Sequence, residues 1–169
     1  MALKPERIEK EMCELEKLLG YSFKNIKRLK EAMMSVRIKG VPGEGKNHRE
    51  YTNEALATVG DAVLKAVLAD CLFKKEHLKT KREITDRKKD LEKNEVLHKL
   101  VCGEGLVGFA YNNDHFKKDE KENSPNRVVC KQHDPYLEAI VGAVYYDCGF
   151  NKTKKWILNW LLPKLEKYK

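Results

Sequence analysis

Hydrophobic residues recur every three or four positions along most of the chain, and no segment alternates convincingly between apolar and polar residues. The first spacing places an apolar stripe on one side of an α-helix, whereas a half-buried β-strand has a period of two. The pattern therefore predicts an all-α fold. Helical spacing is found in six segments: residues 5–20, 25–36, 53–73, 85–101, 134–150 and 154–168.

Capping residues predict where several of these helices begin and end. Gly20 is a candidate C-cap of the first helix. Thr85 is a candidate N-cap in the fourth segment, which contains one helix or two. Asp134 is a candidate N-cap that is followed by Pro135 at the first helical position. Pro163 predicts a kink or an end in the last helix, because proline cannot donate a backbone hydrogen bond.

Two polar stretches separate the helical segments. Residues 39–50 are polar and rich in glycine, which predicts a loop. Residues 112–133 lie in a stretch without periodicity, which predicts an exposed or disordered loop. A chain of 169 residues is long enough to bury a core without disulfides or a structural metal. We expect residues 1–169 to form one domain.

The composition favours a polyanionic partner and a reducing compartment. The formal net charge is +8, which suits nucleic acid or an anionic membrane surface, although it could serve solubility alone. No run of residues is apolar enough to suggest a membrane span. The odd number of scattered cysteines does not suggest a disulfide framework. We expect a cytoplasmic protein without a membrane segment; its five cysteines are Cys13, Cys71, Cys102, Cys130 and Cys148.

Two of the most apolar helices each contain a carboxylate. Asp61 lies within an otherwise apolar or small-residue segment, on one helical ridge with Glu54 and Ala57. Glu138 is the only charged residue between Asp134 and the aspartate at position 147. An isolated acid of this kind could cap a loop or pair with a basic side chain. Two facing acids repel each other unless a cation lies between them, and oxygen ligands suit Mg²⁺ or Mn²⁺.

Several motifs resemble the ribonuclease III family and together span most of the chain in the family's order. The segment "NEALATVGDAVL" resembles the family signature, and "LEAIVGAVYYDCGF" is similar to its second acidic motif. "LEKLLGYSFKNIKRLKEAMMS" resembles the opening helix pair, and "ITDRK" is loosely similar to a further segment. The signature is matched at Asn53, Glu54, Leu56, Gly60, Asp61, Ala62, Val63 and Leu64, and the second motif at Glu138, Ala139, Gly142, Ala143, Tyr145, Asp147, Gly149 and Phe150.

This resemblance implies a helical endonuclease domain that uses Mg²⁺, or Mn²⁺, to cleave double-stranded or stem-structured RNA to 5′-phosphate products. It implies four carboxylates at each site, of which Asp61 and Glu138 match cleanly. Family members dimerise through the signature helix, so a homodimer is expected. By this resemblance Asp61 and Glu138 position metal and water, with Asp134 and Glu54 assisting.

The chain departs from the family pattern at several positions. Ala57 stands where the family has a metal-binding Glu, and Pro135 stands where it has an Asp. Asp134 lies one residue earlier and could still reach the site, because i, i+3 and i, i+4 positions share a helix face. Lys81 replaces another family acid, with Glu83 close by.

Short Mini-III-type members resemble this sequence in having Ala at the position of Ala57, and they cut RNA. Alternatively, Ala57 is an introduced substitution that inactivates the protein. The signature helix also differs at its interface, where Thr58 stands in place of the usual aromatic residue.

The resemblance covers the catalytic domain and no double-stranded-RNA-binding domain, so RNA binding is expected from the charge of this domain. Residues 79–89 and the 112–133 loop are the candidate contacts. Two rival functions stay open: a catalytically weakened or inactive RNA-binding module of the same fold, and a helical adaptor for acidic proteins.

Two further motifs are weak. Residues 40–47 match most of a phosphate-binding loop, but Asn47 replaces the Ser/Thr that binds Mg²⁺ and a helix is predicted before it. Cys130 and His133 have a zinc-ligand spacing without two further ligands at plausible spacing. Neither motif favours a different function.

Overall fold

The computed structural model describes residues 5–34, 38–40, 47–49, 53–110, 132 and 134–169. Helices dominate these ranges, which confirms the predicted all-α class. The α-helices are α1 (Pro5–Leu19), α2 (Ile26–Met33), α3 (Glu54–Lys75), α4 (Lys81–Glu92), α5 (Asn94–Gly103), α6 (Tyr136–Cys148), α7 (Phe150–Trp156) and α8 (Leu162–Tyr168). A 3₁₀ turn spans Leu106–Phe109, and a π-helical turn spans Ile157–Leu161.

Helices α3 and α6 form the centre of the fold and make the most extensive helix–helix contact among the described residues. Both are apolar on most sides: α6 buries every residue from Tyr136 to Val144 apart from Glu138. Helix α2 packs on α6, while α4 packs on α3 and α5 packs on α8. The two helices that carry the candidate acids are therefore held from several sides.

Helix α1 is fixed to the C-terminal helices by two tryptophans. The indole nitrogen of Trp156 donates to the carbonyl of Leu19 at 2.8 Å, and that of Trp160 donates to the carbonyl of Leu18 at 2.9 Å. The two rings stack with centroids 5.2 Å apart. Gly20 then ends α1 with φ +58°, a left-handed conformation that glycine adopts without strain. This confirms the predicted C-cap.

Two predicted N-caps are wrong. Thr80, not Thr85, caps α4: its side chain accepts from the backbone N–H of Glu83, and Glu83 accepts in return from the N–H of Thr80. This reciprocal pair satisfies donors that the first helical turn leaves free. At α6, Pro135 occupies the cap position and makes no side-chain capping bond, so Asp134 lies one residue outside the cap.

The last helical region continues through Pro163 rather than ending there. The π-helical turn precedes α8, and proline occupies one of the first positions of α8. A π turn hydrogen-bonds to the fifth residue back and widens the helix, which accommodates a residue without a backbone donor. The predicted irregularity near this proline is thus a wide turn just before it.

The glycine-rich loop prediction at 39–50 needs correction, because short strands flank part of it. Strand β1 (Ile38–Gly40) pairs antiparallel with β2 (Asn47–Arg49), with Lys39 opposite His48. Three residues per strand are too few to show a period-two pattern, so backbone pairing decides the conformation. A strand on each side also differs from a phosphate-binding loop, which a helix follows.

Several predictions fall outside the described residues. They include the 112–133 loop, apart from Gln132, and the Cys130/His133 motif. Most of the buried apolar side chains among the described residues belong to one core cluster. Within the described ranges, no helix has the length and apolar character required to cross a membrane.

Candidate active site

Two glycines bring the helices of the candidate acids into backbone contact. A Cβ added at Gly60 would lie 1.7 Å from the backbone oxygen of Glu138, and one added at Gly142 would lie 2.2 Å from the backbone oxygen of Leu56. A real Cβ cannot lie this close to a backbone oxygen, so only glycine permits this crossing of α3 and α6. Because Asp61 directly follows Gly60, the crossing places Asp61 beside Glu138.

Glu138 is a partly buried carboxylate in a negative environment. Burial raises the pKa of its carboxyl group, and the negative charge of Asp61 raises it further, whereas Lys65 opposes the change. Asp61 and Lys65 act on Glu138 through their charge, and among the described residues no side-chain hydrogen bond contributes to this pKa change. A cation placed between Glu138 and Asp61 would relieve both the repulsion and the loss of hydration.

Asp61 is bonded to a lysine on its own helix. The Nζ of Lys65 lies 2.7 Å from Oδ2 of Asp61, an i, i+4 pair whose side chains are 43% and 44% exposed. The hydrogen bond from Lys65 to Asp61 is the main cause that raises the lysine pKa, and Glu92 and Glu138 add to it. Lys65 therefore lies in the combined field of three carboxylates.

Glu92, the last residue of α4, is the third of these acids. Its side chain is 16% exposed, and Oε1 lies 3.5 Å from Nζ of Lys88. Its other oxygen, Oε2, is buried without a hydrogen-bond partner. Sequence reasoning missed Lys65 and Glu92. The i, i+4 spacing of Lys65 from Asp61 could have indicated their ion pair. Glu92 is on another helix, and its position in the sequence does not indicate that it lies near Asp61.

For the remaining predicted site residues, the structure gives a position and an exposure. Glu54 is the first residue of α3 and is exposed, while Ala57 is buried, with 6% of its surface exposed. Asp134 is partly buried and lies before α6, so helical spacing does not fix its carboxylate relative to Glu138. The roles of Glu54 and Asp134 stay predictions.

Lys81 and Glu83 do not add an acid to the site. Lys81 is the first residue of α4 and is exposed. Glu83 is engaged by Thr80, whose hydroxyl donates to Oε2 at 2.6 Å and whose N–H donates at 3.0 Å; these bonds lower the pKa of Glu83. Among the described residues, no three His, Cys, Asp or Glu side chains form a group that could hold a metal ion. The assignment of Asp61 and Glu138 as metal ligands stays a prediction.

The basic segment 79–89 contains both paired and accessible cations. Arg87 bonds to Glu76 and Glu166, at 3.2 and 2.6 Å, and is committed to joining α4 with α8. Arg82 is 92% exposed and pairs only loosely with Asp86, at 3.6 Å. Exposed side chains at the start of α4 are therefore available to a polyanion; they include Lys79, Lys81 and Arg82.

Comparison with known proteins identifies the family of this fold and site. The family model described as Ribonuclease-III-like matches residues 44–165, which include both candidate acids. The chain belongs to the ribonuclease III family. The segments that resembled the family signature and its second acidic motif both lie within the matched range.

Curated relatives support this membership. Ribonuclease 3 of a Nitratiruptor species is 30% identical over 164 residues, covering 93% of this chain and 65% of the relative. Ribonuclease 3 of Carboxydothermus hydrogenoformans is 31% identical over 161 residues, covering 92% of this chain and 63% of the relative. The ribonuclease III-like chain thus spans slightly less than two thirds of these relatives.

Solved structures agree with the fold. The nuclease domain of ribonuclease III from Campylobacter jejuni, in a structure that concerns flexibility in a region involved in dimer formation, superposes with a TM-score of 0.65. The sequence identity is 25%, and the match covers 91% of this chain and 95% of that one. The described ribonuclease III-like helices therefore have the arrangement of a nuclease domain.

Proposed function

We propose that this chain is the nuclease domain of a cytoplasmic, divalent-metal-dependent endoribonuclease that cleaves double-stranded or stem-structured RNA to 5′-phosphate products. The observation that carries this proposal is the contact of α3 with α6 at Gly60 and Gly142, which brings Asp61 and Glu138 together. The net charge of +8 suits an RNA substrate. The free thiols suit a reducing compartment; they are Cys13, Cys71, Cys102 and Cys148.

Two carboxylates are enough to hold one Mg²⁺ or Mn²⁺ ion if water supplies the remaining ligands. Asp61 and Glu138 would hold the ion, and Mg²⁺ commonly keeps several water ligands when proteins supply only one or two carboxylates. When bound, it would polarise the phosphate and lower the pKa of a water molecule. Ala57 supplies no oxygen, so affinity for the metal should be lower than with a Glu at that position.

The chain's own residues would orient the substrate and water. Carboxylate oxygens of Asp61 and Glu138 can accept hydrogen bonds from water, which fixes the direction of its lone pairs. Glu54 and Asp134 would assist from the beginnings of their helices. The crossing supports this arrangement because it sets the backbone of Gly60, the residue before Asp61, against that of Glu138.

The proposal includes a homodimer through the signature helix. Exposed apolar or small residues line one side of α3, at spacings that share a helical face: Ala55, Ala62, Ala66 and Phe73. Phe73 is 57% exposed and adds a large aromatic side chain to this face, which a second copy of the chain would cover. Sedimentation velocity should detect a dimer that Phe73→Arg dissociates and that Leu18→Arg, at an exposed position on α1, does not.

RNA cleavage tests the proposed activity. Purified protein is incubated at low salt with long double-stranded RNA and either Mg²⁺ or Mn²⁺, beside an Asp61→Asn variant. Asp70→Asn is a matched control because Asp70 lies nine residues after Asp61 on α3 and has the same i, i+4 pairing with a lysine, Lys74. We expect metal-dependent cutting by the wild type and the control and none by Asp61→Asn. Cutting that persists in Asp61→Asn, or that needs no metal, would contradict the proposal.

An RNA-binding module without catalysis is the second candidate, and Ala57 favours it. Ala57 supplies no carboxylate, and no group of three potential metal ligands exists among the described residues. RNA retained without cutting would support this function. The Ala57→Glu variant would then show why cleavage is absent. Recovered cutting would mean that the protein lacks a metal ligand at position 57, whereas continued inactivity would favour a binding module.

A further inference from the structure

The ammonium group of Lys65 is paired with Asp61, the carboxylate that the proposed function assigns to a metal ion. Its Nζ lies 2.7 Å from Oδ2 of Asp61, the distance of a strong charge-assisted hydrogen bond. A divalent cation bound through the same oxygen would approach this ammonium closely, and the two positive charges repel. Lys65 and the metal therefore compete for Asp61.

The pair of Lys65 with Asp61 is displaceable. Both side chains are more than two fifths exposed, at 43% and 44%. Ion pairs exposed to this extent are weak, because water screens them and the lysine loses side-chain entropy when it is fixed. A divalent ion can therefore separate the pair, provided that the released ammonium finds another acceptor.

Glu92 supplies that acceptor. Its Oε2 is buried and has no hydrogen-bond partner, and its contact with Lys88 is long, at 3.5 Å through the other oxygen. Its helix α4 packs on α3, and its charge acts on Lys65. A buried carboxylate oxygen without a donor is costly, so a lysine that turns toward Glu92 gains an interaction there.

We propose that Lys65 is an internal counter-cation that pairs with Asp61 in the metal-free protein and transfers to Glu92 when a divalent ion binds. The inference rests on the proposed function, since it assigns Asp61 to the metal. It makes Lys65 and Glu92 positioning residues that set metal affinity without touching the reacting atoms.

Direct Mn²⁺ binding tests the competition without RNA. Free Mn²⁺ is measured by electron paramagnetic resonance while the ion is titrated into purified protein. Lys65→Met should bind Mn²⁺ about threefold to tenfold more tightly, because the competing ammonium is absent. Lys65→Arg keeps a cation and should bind like the wild type. Unchanged or weaker binding by Lys65→Met would overturn the proposal.

Lys74→Met is the matched control. Lys74 pairs with Asp70 at 2.8 Å, in the same i, i+4 arrangement and on the same helix as the pair at the site. It removes an equal charge from α3, so a general electrostatic effect would tighten Mn²⁺ binding in both variants. We expect tightening in Lys65→Met alone; equal tightening in the control would overturn a specific competition.

A double-mutant cycle tests the transfer to Glu92. Glu92→Gln should weaken Mn²⁺ binding about twofold to fivefold when Lys65 is present, because the released ammonium loses its acceptor. It should have no effect in a Lys65→Met background, where there is no ammonium to accept. Equal weakening in both backgrounds would instead make Glu92 a metal ligand and would overturn the transfer.

These results are distinguishable from failure of the proposed function. Tighter Mn²⁺ binding by Lys65→Met without RNA cleavage by any variant would support the counter-cation and refute the nuclease. RNA cleavage together with an unchanged Mn²⁺ affinity of Lys65→Met would support the nuclease and refute the counter-cation. If no variant binds Mn²⁺ while its circular dichroism stays that of the wild type, both are refuted.

Discussion

Asp147 is a carboxylate with a structural role, because it accepts hydrogen bonds from the segment between α1 and α2. It accepts from the hydroxyl of Tyr21 at 2.6 Å and from the backbone N–H groups of Lys24 and Asn25 at 3.0 and 2.9 Å. Partial burial opposes ionisation, but these hydrogen bonds prevail and lower the pKa of Asp147. One side chain thus fixes the connection between α1 and α2 to the end of α6.

Asp147→Ala should destabilise the protein by about 2 kcal/mol, because it leaves three donors without their acceptor. Tyr21→Phe, which removes only one of the three, should cost about 1 kcal/mol. Urea unfolding followed by circular dichroism measures both. A loss in Asp147→Ala no greater than that in Tyr21→Phe would show that the backbone donors do not depend on Asp147.

Ala57 allows a second prediction at the scale of one residue. Its surface is only 6% exposed, so Ala57→Glu introduces a carboxylate into a nearly buried position on the ridge of Asp61. Without metal, we expect a loss of about 1 to 3 kcal/mol in the free energy of unfolding. Mg²⁺ should restore part of this loss, because it binds only the folded state.

Ala57→Gln separates charge from size in this experiment. Glutamine has the volume of glutamate without its charge, so Ala57→Gln should be destabilised whether or not Mg²⁺ is present. Thermal unfolding in EDTA and in Mg²⁺ compares the two variants. Equal recovery of both by Mg²⁺ would rule out a direct interaction of the new carboxylate with the ion.

The sequence predicts the acids of the site better than their partners. Asp61 and Glu138 stand out because each is charged within an apolar helix and each matches a family motif. Lys65 and Glu92 do not stand out, because charged residues are common at helix surfaces and ends. Their relation to the site depends on α4 packing beside α3, which no local pattern encodes.

At the scale of elements, the crossing of α3 and α6 determines the site. Each helix has its glycine where the other helix's backbone comes closest, at Gly60 and Gly142. The resemblance to family motifs includes both glycines, but only the packed structure gives the reason for them. A side chain at either position would separate the helices and move Asp61 from Glu138.

Gly60→Ala should destabilise the protein by at least about 2 kcal/mol, since its Cβ would overlap the backbone oxygen of Glu138, at 1.7 Å. It should also abolish RNA cleavage and weaken Mn²⁺ binding. Gly108→Ala is the control, because a Cβ there meets nothing within 4 Å. Thermal unfolding and Mn²⁺ titration compare the two. Similar losses in both variants would contradict the role of the crossing.

Local patterns predict the helices more accurately than their ends. The apolar spacing suffices for α3 and α6, whereas the choice of Thr80 over Thr85 as N-cap depends on which threonine finds a glutamate three residues later. The short strands β1 and β2 are held by pairing across a connection, and three residues give no periodic signal. Boundaries and short pairings therefore depend on contacts that sequence periodicity does not contain.

At the scale of the whole molecule, Glu104 joins α5 to the C-terminal helix. It accepts from Nζ of Lys164 at 2.6 Å, from Nζ of Lys167 at 3.2 Å and from the hydroxyl of Tyr168 at 3.0 Å. The hydrogen bond from Lys164 is the main cause that lowers the pKa of Glu104 to about 2. Because the folded-state pKa lies below the ordinary value of 4.5, this cluster stabilises the ionised, folded form.

The stability that Glu104 contributes should be complete above about pH 5 and should disappear as the pH falls toward 2. We expect Glu104→Gln to cost about 2 kcal/mol at pH 7 and much less near pH 2, where wild-type Glu104 is about half protonated in the folded protein and largely protonated in the unfolded chain. Urea unfolding at several pH values measures the difference. A cost that is constant between pH 7 and pH 3 would contradict this dependence.

Charge also decides how the whole molecule meets RNA. Lys79, Lys81 and Arg82 are exposed at the beginning of α4, whereas Arg87 in the same basic segment is held by two glutamates. Only accessible cations can replace counterions on RNA phosphates. Affinity for double-stranded RNA should therefore depend on the first three residues more than on the total charge of the protein.

Replacing Lys79, Lys81 and Arg82 by glutamine should reduce the slope of log affinity against log salt by about two to three units, since each phosphate contact contributes nearly one unit. The same charge is removed from a control by replacing Lys10, Lys17 and Lys24, which are exposed on α1 and the turn after it. Filter binding of an Asp61→Asn background to double-stranded RNA gives both slopes without cleavage. If the control reduces the slope equally, net charge governs binding, and the surface at the beginning of α4 is not the contact. If only the first set reduces it, the RNA lies along the start of α4, the helix that also carries Glu92 at its other end.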